Sequence, residues 1–201
     1  MALEEIKKVP MTAALVLINT LVFLILELTG GADDTMHMLE WGAAYTPAIL
    51  EGDVYRLFTS MFLHFNSRHL VNNMLVLFVL GGKLEQITGK IRFLVIYLLG
   101  GIVGNLLSLY LELQTCEFAV SAGASGAVFA VMGAMIYALL RHRGRVEDLS
   151  VRQIIIMAAL SLYLGFTDSN VDNAAHVGGL FGGFLSAVLL YHPRKSLNKE
   201  P

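Results

Sequence analysis

With 201 residues, 56% of them hydrophobic and only 15% charged, and a mean hydropathy of +0.65, the chain is too apolar to clothe a soluble domain in polar surface. A net charge of −2 offers no basic excess for nucleic acid, so none is expected as a partner. One cysteine, Cys116, excludes an internal disulfide and a cysteine-based zinc cage.

In chain order, Lys7 and Lys8 precede an apolar run over 11–29. No small-residue cleavage site follows a short core, so this run reads as a retained first span and not a signal peptide. Further apolar segments cover 69–88, 92–113, 124–141, 151–167 and 173–191, and at 1.5 Å per residue we read each as a crossing of a hydrocarbon core of ~30 Å. The expected fold class is all-α: a polytopic membrane protein with six transmembrane helices and one domain over 1–201, since no internal repeat or low-complexity tract suggests another. Orientation follows the Lys/Arg distribution. Lys7, Lys8, Lys90, Arg92, Arg141, Arg143, Arg145, Arg152, Arg194, Lys195 and Lys199 lie on one side, joined by Lys83. The opposite connections hold only Arg56 and Arg68 beside Asp33, Asp34, Glu40, Glu51, Asp53, Glu117 and Asp168. By the positive-inside rule both termini are cytoplasmic, and spans two, four and six run from outside to inside.

The connection 30–68 is too long for an ordinary interhelical loop and carries Trp41, Tyr45, Tyr55, Phe58, Phe62 and Phe65. Amphipathic rings favour the membrane interface, so this first loop is expected to pack on or into it.

Polar groups within apolar spans are costly and mark function. Here they fall at one level. Ser125 opens span four, His176 lies in the first turn of span six, and His69, Asn72 and Asn73 lie in the first turns of span two, all just below the outer surface. A serine hydroxyl needs a base to become a nucleophile, and neutral histidine suits that task near pH 7. Ser125 and His176 meet if spans four and six touch. Gly178, Gly179, Gly182 and Gly183 on one helix, and Gly126, Ala130 and Ala134 on the other, permit close backbone approach. Acyl transfer also requires oxyanion donors, which the Ser125 backbone N–H at the positive end of span four, Asn73 and His69 can supply. Asp172 reads as the N-cap of span six and not as the third member of a triad, so the site is a dyad.

Other motifs are absent. Ser125 does not lie in G-x-S-x-G, because position 127 is alanine, and there is no H-E-x-x-H, so neither a metal nor a cofactor is expected.

Taken together, these residues resemble those of rhomboid intramembrane serine proteases of the minimal six-span bacterial type. The resemblance runs over about 54–191 and rests on Tyr55-Arg56, on Phe65 within His64-Phe65-Asn66-Ser67-Arg68-His69, on Asn73, on Gly123-Ala124-Ser125-Gly126, and on Ala175-His176-Val177-Gly178-Gly179 with Gly183. It implies a Ser125–His176 catalytic dyad, an oxyanion hole formed with Asn73 and His69, a structural role for His64, and a packing or gating role for Glu85. Two positions depart from the family pattern. Tyr55 replaces the usual tryptophan before arginine, and Phe129 stands where a tyrosine is common, one turn below the serine and facing the histidine.

The implied activity is cleavage of transmembrane segments of single-span or polytopic membrane-protein substrates near the outer surface of the cell membrane. Substrate would enter sideways past span five, and water through polar residues near His64, Asn66, Asn72 and Asn73. A non-proteolytic protein that binds client transmembrane helices is the alternative. A transporter is disfavoured because the inner halves of spans two, four and six offer no polar path. Oligomeric state is not legible.

Overall fold

The computed structural model describes residues 7–146, 148–167 and 171–191; Asp168, Arg194, Lys195 and Lys199, used above to orient the chain, lie outside them. The apolar segments are all helical, with ends within two residues of those expected from the sequence. They are α1 (Pro10–Thr29), α5 (Ser67–Thr88), α6 (Lys90–Thr115), α7 (Ser125–Arg141), α8 (Val151–Gly165) and α9 (Asn173–Leu190). Among the described residues, α1, α5, α6 and α9 are long and apolar enough to cross a membrane. The other two are shorter than the segments read from the sequence. The 17 residues of α7 span about 25 Å and the 15 of α8 about 22 Å at 1.5 Å per residue.

The core is built around α7. Its residues from Gly126 to Met135 are buried on every face, as befits a helix that is apolar all round and enclosed by others. Backbone contact with α9 and α6 is possible because glycine and alanine line the seams. A Cβ on Gly179 would run into the carbonyl of Gly126, one on Gly183 into that of Ala130, and one on Gly133 into that of Leu180. Across α6, a Cβ on Gly104 would come within 2.6 Å of the Ala175 oxygen. Gly104 was not singled out in the sequence.

The first loop is ordered. It folds into α2 (Thr35–Glu40), α3 (Thr46–Leu50), α4 (Arg56–Thr59) and a 3₁₀ turn over Ser60–Phe62. Arg56 holds it together, pairing with Asp53 at 2.9 Å and donating from one guanidinium nitrogen to the carbonyls of Leu39 (2.7 Å) and Ala43 (3.1 Å). Met38, Ala43, Met61 and Leu63 turn into the core, while Trp41, Tyr55 and Phe58 remain exposed.

At the other end of the bundle a short hairpin, β1 (Arg145–Val146) with β2 (Leu149–Ser150), joins α7 to α8, and Asp148 in its turn pairs with Lys83 of α5. Nearby, the buried Glu85 accepts from the backbone N–H groups of Met11 (3.0 Å) and Thr12 (2.8 Å) and from the Thr12 hydroxyl (2.8 Å). It therefore caps the first turn of α1, whose own N-cap residue, Val9, has no side chain able to do so. Between the two ends, α5 widens into a π-helical turn over Leu77–Gly81.

Candidate active site

Ser125 is the first residue of α7, so its backbone N–H precedes the first helical hydrogen bond, made by Val128 N to Ala124 O at 2.9 Å. The N–H groups of Ser125, Gly126 and Ala127 are therefore free of intrahelical partners at the positive end of the helix dipole. What holds this end in place is the segment before it. Ser121 and Ala44 exchange backbone hydrogen bonds at 2.9 Å, and Gly123 N donates to Ser60 O at 3.0 Å. Asn105 of α6 donates to Leu57 O at 2.8 Å and to Ser60 Oγ at 3.0 Å, tying the same stretch of the first loop to the bundle. Gly123 has φ +152°, and a Cβ there would lie 2.6 Å from Cε1 of His69 and 3.6 Å from Ser125 Oγ. Only glycine lets His69 and the serine hydroxyl converge on that point.

His176 comes from the first turn of α9 and is buried. Phe129, one helical turn after Ser125, stacks on it with ring centroids 4.3 Å apart and planes 13° from parallel. Residues four apart share a helix face, so the serine stands one turn above the stacked histidine across the α7–α9 seam. Among the described residues Ser125 Oγ has no hydrogen-bond partner, and Nδ1 of His176 is buried without one. Asp172 is otherwise engaged. One carboxylate oxygen accepts from Ala175 N at 2.8 Å as the N-cap of α9, and the other accepts from Ser108 Oγ of α6 at 2.6 Å.

The remaining polar residues gather around His64. Its Nε2 lies 3.4 Å from the backbone nitrogen of Ala124 and 3.1 Å from Nδ2 of Asn73. A backbone N–H can only donate, so Nε2 accepts and the ring proton resides on Nδ1. Burial, reinforced by the neighbouring His69, lowers the His64 pKa to about 3 and keeps the ring neutral. His69 packs edge-on against it at 5.1 Å. Asn66 caps α5, accepting from His69 N at 2.8 Å, whereas Asn72 is exposed, off the buried face that carries Asn73.

The structure thus brings Ser125, His176, His69, Asn73, His64, Phe129 and Gly123 to one end of the bundle, with Gly126, Gly179 and Gly183 forming the seam beneath. Sequence reasoning missed Ser108. It is a small polar residue on the glycine-bearing buried face of α6, a signal that is visible only once that face is known. Among the described residues no three His, Cys, Asp or Glu side chains converge as a metal-binding group.

Comparison with known proteins bears on the family. Over 183 residues the chain is 37% identical to the rhomboid protease GluP of Bacillus subtilis (strain 168), covering 91% of this chain and 35% of that one. It is 33% identical to the putative rhomboid protease YdcA of the same organism, over 72% of this chain and 71% of that one. Against the rhomboid protease AarA of Providencia stuartii it is 31% identical, over 93% and 75% respectively. The chain spans only about a third of GluP, so it matches a part of that relative. A family model of the rhomboid domain matches residues 51–193, which includes every site residue named above, and on that extent of agreement the chain belongs to the rhomboid family.

Proposed function

We propose that this integral membrane protein is an intramembrane serine endopeptidase acting through a Ser125–His176 dyad. The observation that carries the reading is the stacking of Phe129 on His176, which sets the imidazole one turn below a serine whose hydroxyl has no other partner. In the reaction, the accessible imidazole nitrogen of His176 takes the proton of Ser125 Oγ as the oxygen attacks the scissile carbonyl. The tetrahedral oxyanion is met by the Ser125 N–H, by the second hydrogen of Asn73 Nδ2 and by His69. His176 then returns the proton to the departing amine, and water hydrolyses the acyl-enzyme by the same route in reverse. Among the described residues no carboxylate meets His176 Nδ1, and the oxygens of Asp172 accept instead from Ala175 N and Ser108 Oγ.

The same reading includes one rhomboid-like domain over 1–201, six spans, cytoplasmic termini and a site near the outer surface. A helix of about 25 Å falls roughly 5 Å short of a ~30 Å hydrocarbon core. That shortfall suits α7, the fourth span, lying with its Ser125 end sunk below the membrane surface. Substrates are transmembrane segments of other membrane proteins.

The test is labelling of the detergent-solubilised protein with a fluorescent fluorophosphonate, comparing wild type with Ser125→Ala and His176→Ala, beside cleavage of a single-span reporter. Wild type labels and cleaves, and neither variant does so, although both keep the wild-type melting temperature within a few degrees. Cleavage by Ser125→Ala would sink the assignment. An unlabelled wild type that still captures a reporter helix would turn the reading to client binding.

A further inference from the structure

Away from the site, an apolar groove of about 420 Å³ separates α1 from the first loop. Ile18 and Val22 form one wall, and Trp41, Phe58, Phe62 and Leu63 the other. Besides the indole of Trp41, Thr59 is the one polar side chain lining it, and its hydroxyl proton goes to Gly42 O at 2.7 Å. Water is a poor occupant, since a bound water needs two or more polar partners.

We propose that this groove holds one acyl chain of a membrane phospholipid. On α1 it is lined by Ile18 and Val22, one helical turn apart, and opposite them by Trp41, which packs against His37 beside Thr29 at the end of α1. The groove therefore lies along the Thr29 half of α1, at the depth of one leaflet of a ~30 Å hydrocarbon core, where acyl chains lie. The groove is also continuous with the face of α1 that bears Leu17, Leu21, Leu24, Ile25 and Leu28, all exposed and all requiring lipid cover in a spanning helix. An ordered chain here fills the gap that α1 and the loop leave between them and supports the loop from the lipid side.

Trp41 is the sole tryptophan and lines the groove, so its fluorescence reports the occupant directly. The full chain is reconstituted in dioleoylphosphatidylcholine vesicles and in vesicles of the same lipid carrying bromine at the 9 and 10 positions. Bromolipid quenches Trp41 emission at least twofold in wild type. Val22→Phe, which fills the groove, halves that quenching, with Ile18→Phe as a second filling variant, while Leu28→Phe on the exposed part of α1 leaves it unchanged. Equal quenching in wild type and both filling variants overturns the proposal, since Trp41 then senses only ordinary surrounding lipid. Quenching that weakens as the protein-to-lipid ratio rises also overturns it, because a second copy of the chain then covers the groove.

Discussion

The two ends of α5 bury polar groups in opposite ways. At the Glu85 end a carboxylate removed from water accepts three hydrogen bonds and leaves none of the first-turn needs of α1 unmet where it reaches. At the Asn73 end, where Asn73 and His64 bond each other, other polar groups are left without partners. His176 Nδ1 is buried and unpaired, Ser125 Oγ is free, and the N–H groups that open α7 have no intrahelical partner. Buried polar groups that are fully satisfied hold a fold together, while those left unsatisfied are a cost that a reacting substrate can relieve. On the proposed function, stability belongs to one end and chemistry to the other.

That division can be tested, beginning with the largest effect. Glu85→Ala leaves two backbone N–H groups and a threonine hydroxyl without their acceptor, so we expect a loss of roughly 3–5 kcal/mol and a markedly lower melting temperature. Activity per folded molecule should be retained, and a Glu85→Ala protein that stays folded yet loses turnover would break the division. Gly179→Ala forces a methyl group into the Gly126 carbonyl and should separate α7 from α9 at a cost of about 1–3 kcal/mol or more, with fluorophosphonate labelling lost even in molecules that remain folded.

Acid should act through His64. Its folded-state pKa of about 3 lies below the unfolded value of 6.5, so the unfolded chain binds the extra proton first. The stabilisation it contributes is complete above pH 6.5 and declines by up to about 1.4 kcal/mol per pH unit as pH falls toward 3. Thermal unfolding measured between pH 7 and 4 should show that slope in wild type and a shallower one in His64→Asn. Smallest is Ser108→Ala. It removes one hydrogen bond to the Asp172 cap, costs about 1 kcal/mol, and should lower kcat severalfold at unchanged KM if His176 is positioned through that cap. Unchanged kinetics would leave Ser108 as simple packing.

How much of this was readable in the sequence depends on the range of the interactions. Helices announce themselves through runs of apolar residues, and the segments found from those runs match the helices to within two residues at each end. The Ser125 and His176 candidates were visible because a polar residue in an apolar helix is conspicuous in one dimension. Asp172 was legible as a cap for the same local reason, and its bond to Ala175 N is the one a cap makes. Its second bond, to Ser108 some sixty residues away, depends on how α6 packs and leaves no local trace. Glu85 likewise could be noticed, but its partners Met11 and Thr12 could not, because nothing near either sequence position names the other. The first loop was the least legible part. Its aromatics pointed to the interface, but its order comes from one guanidinium spread over two carbonyls and a carboxylate, and from a backbone bridge to Ser121.

The π-helical turn at Leu77–Gly81 has a consequence for gearing. Asn73 and Glu85 are twelve positions apart, and in an uninterrupted α-helix they would point about 120° away from each other, so one of them would face lipid. A π turn accommodates one extra residue, which takes back about 100° of that rotation and leaves the two nearly in line. Both are buried as a result. The turn therefore acts as a phase shifter between two halves of one rod, allowing the same helix to present Asn73, the proposed oxyanion donor, and the anchoring carboxylate of Glu85 to the same interior. Removing a single residue from this stretch would turn one half against the other and cast either Asn73 or Glu85 out into the hydrocarbon.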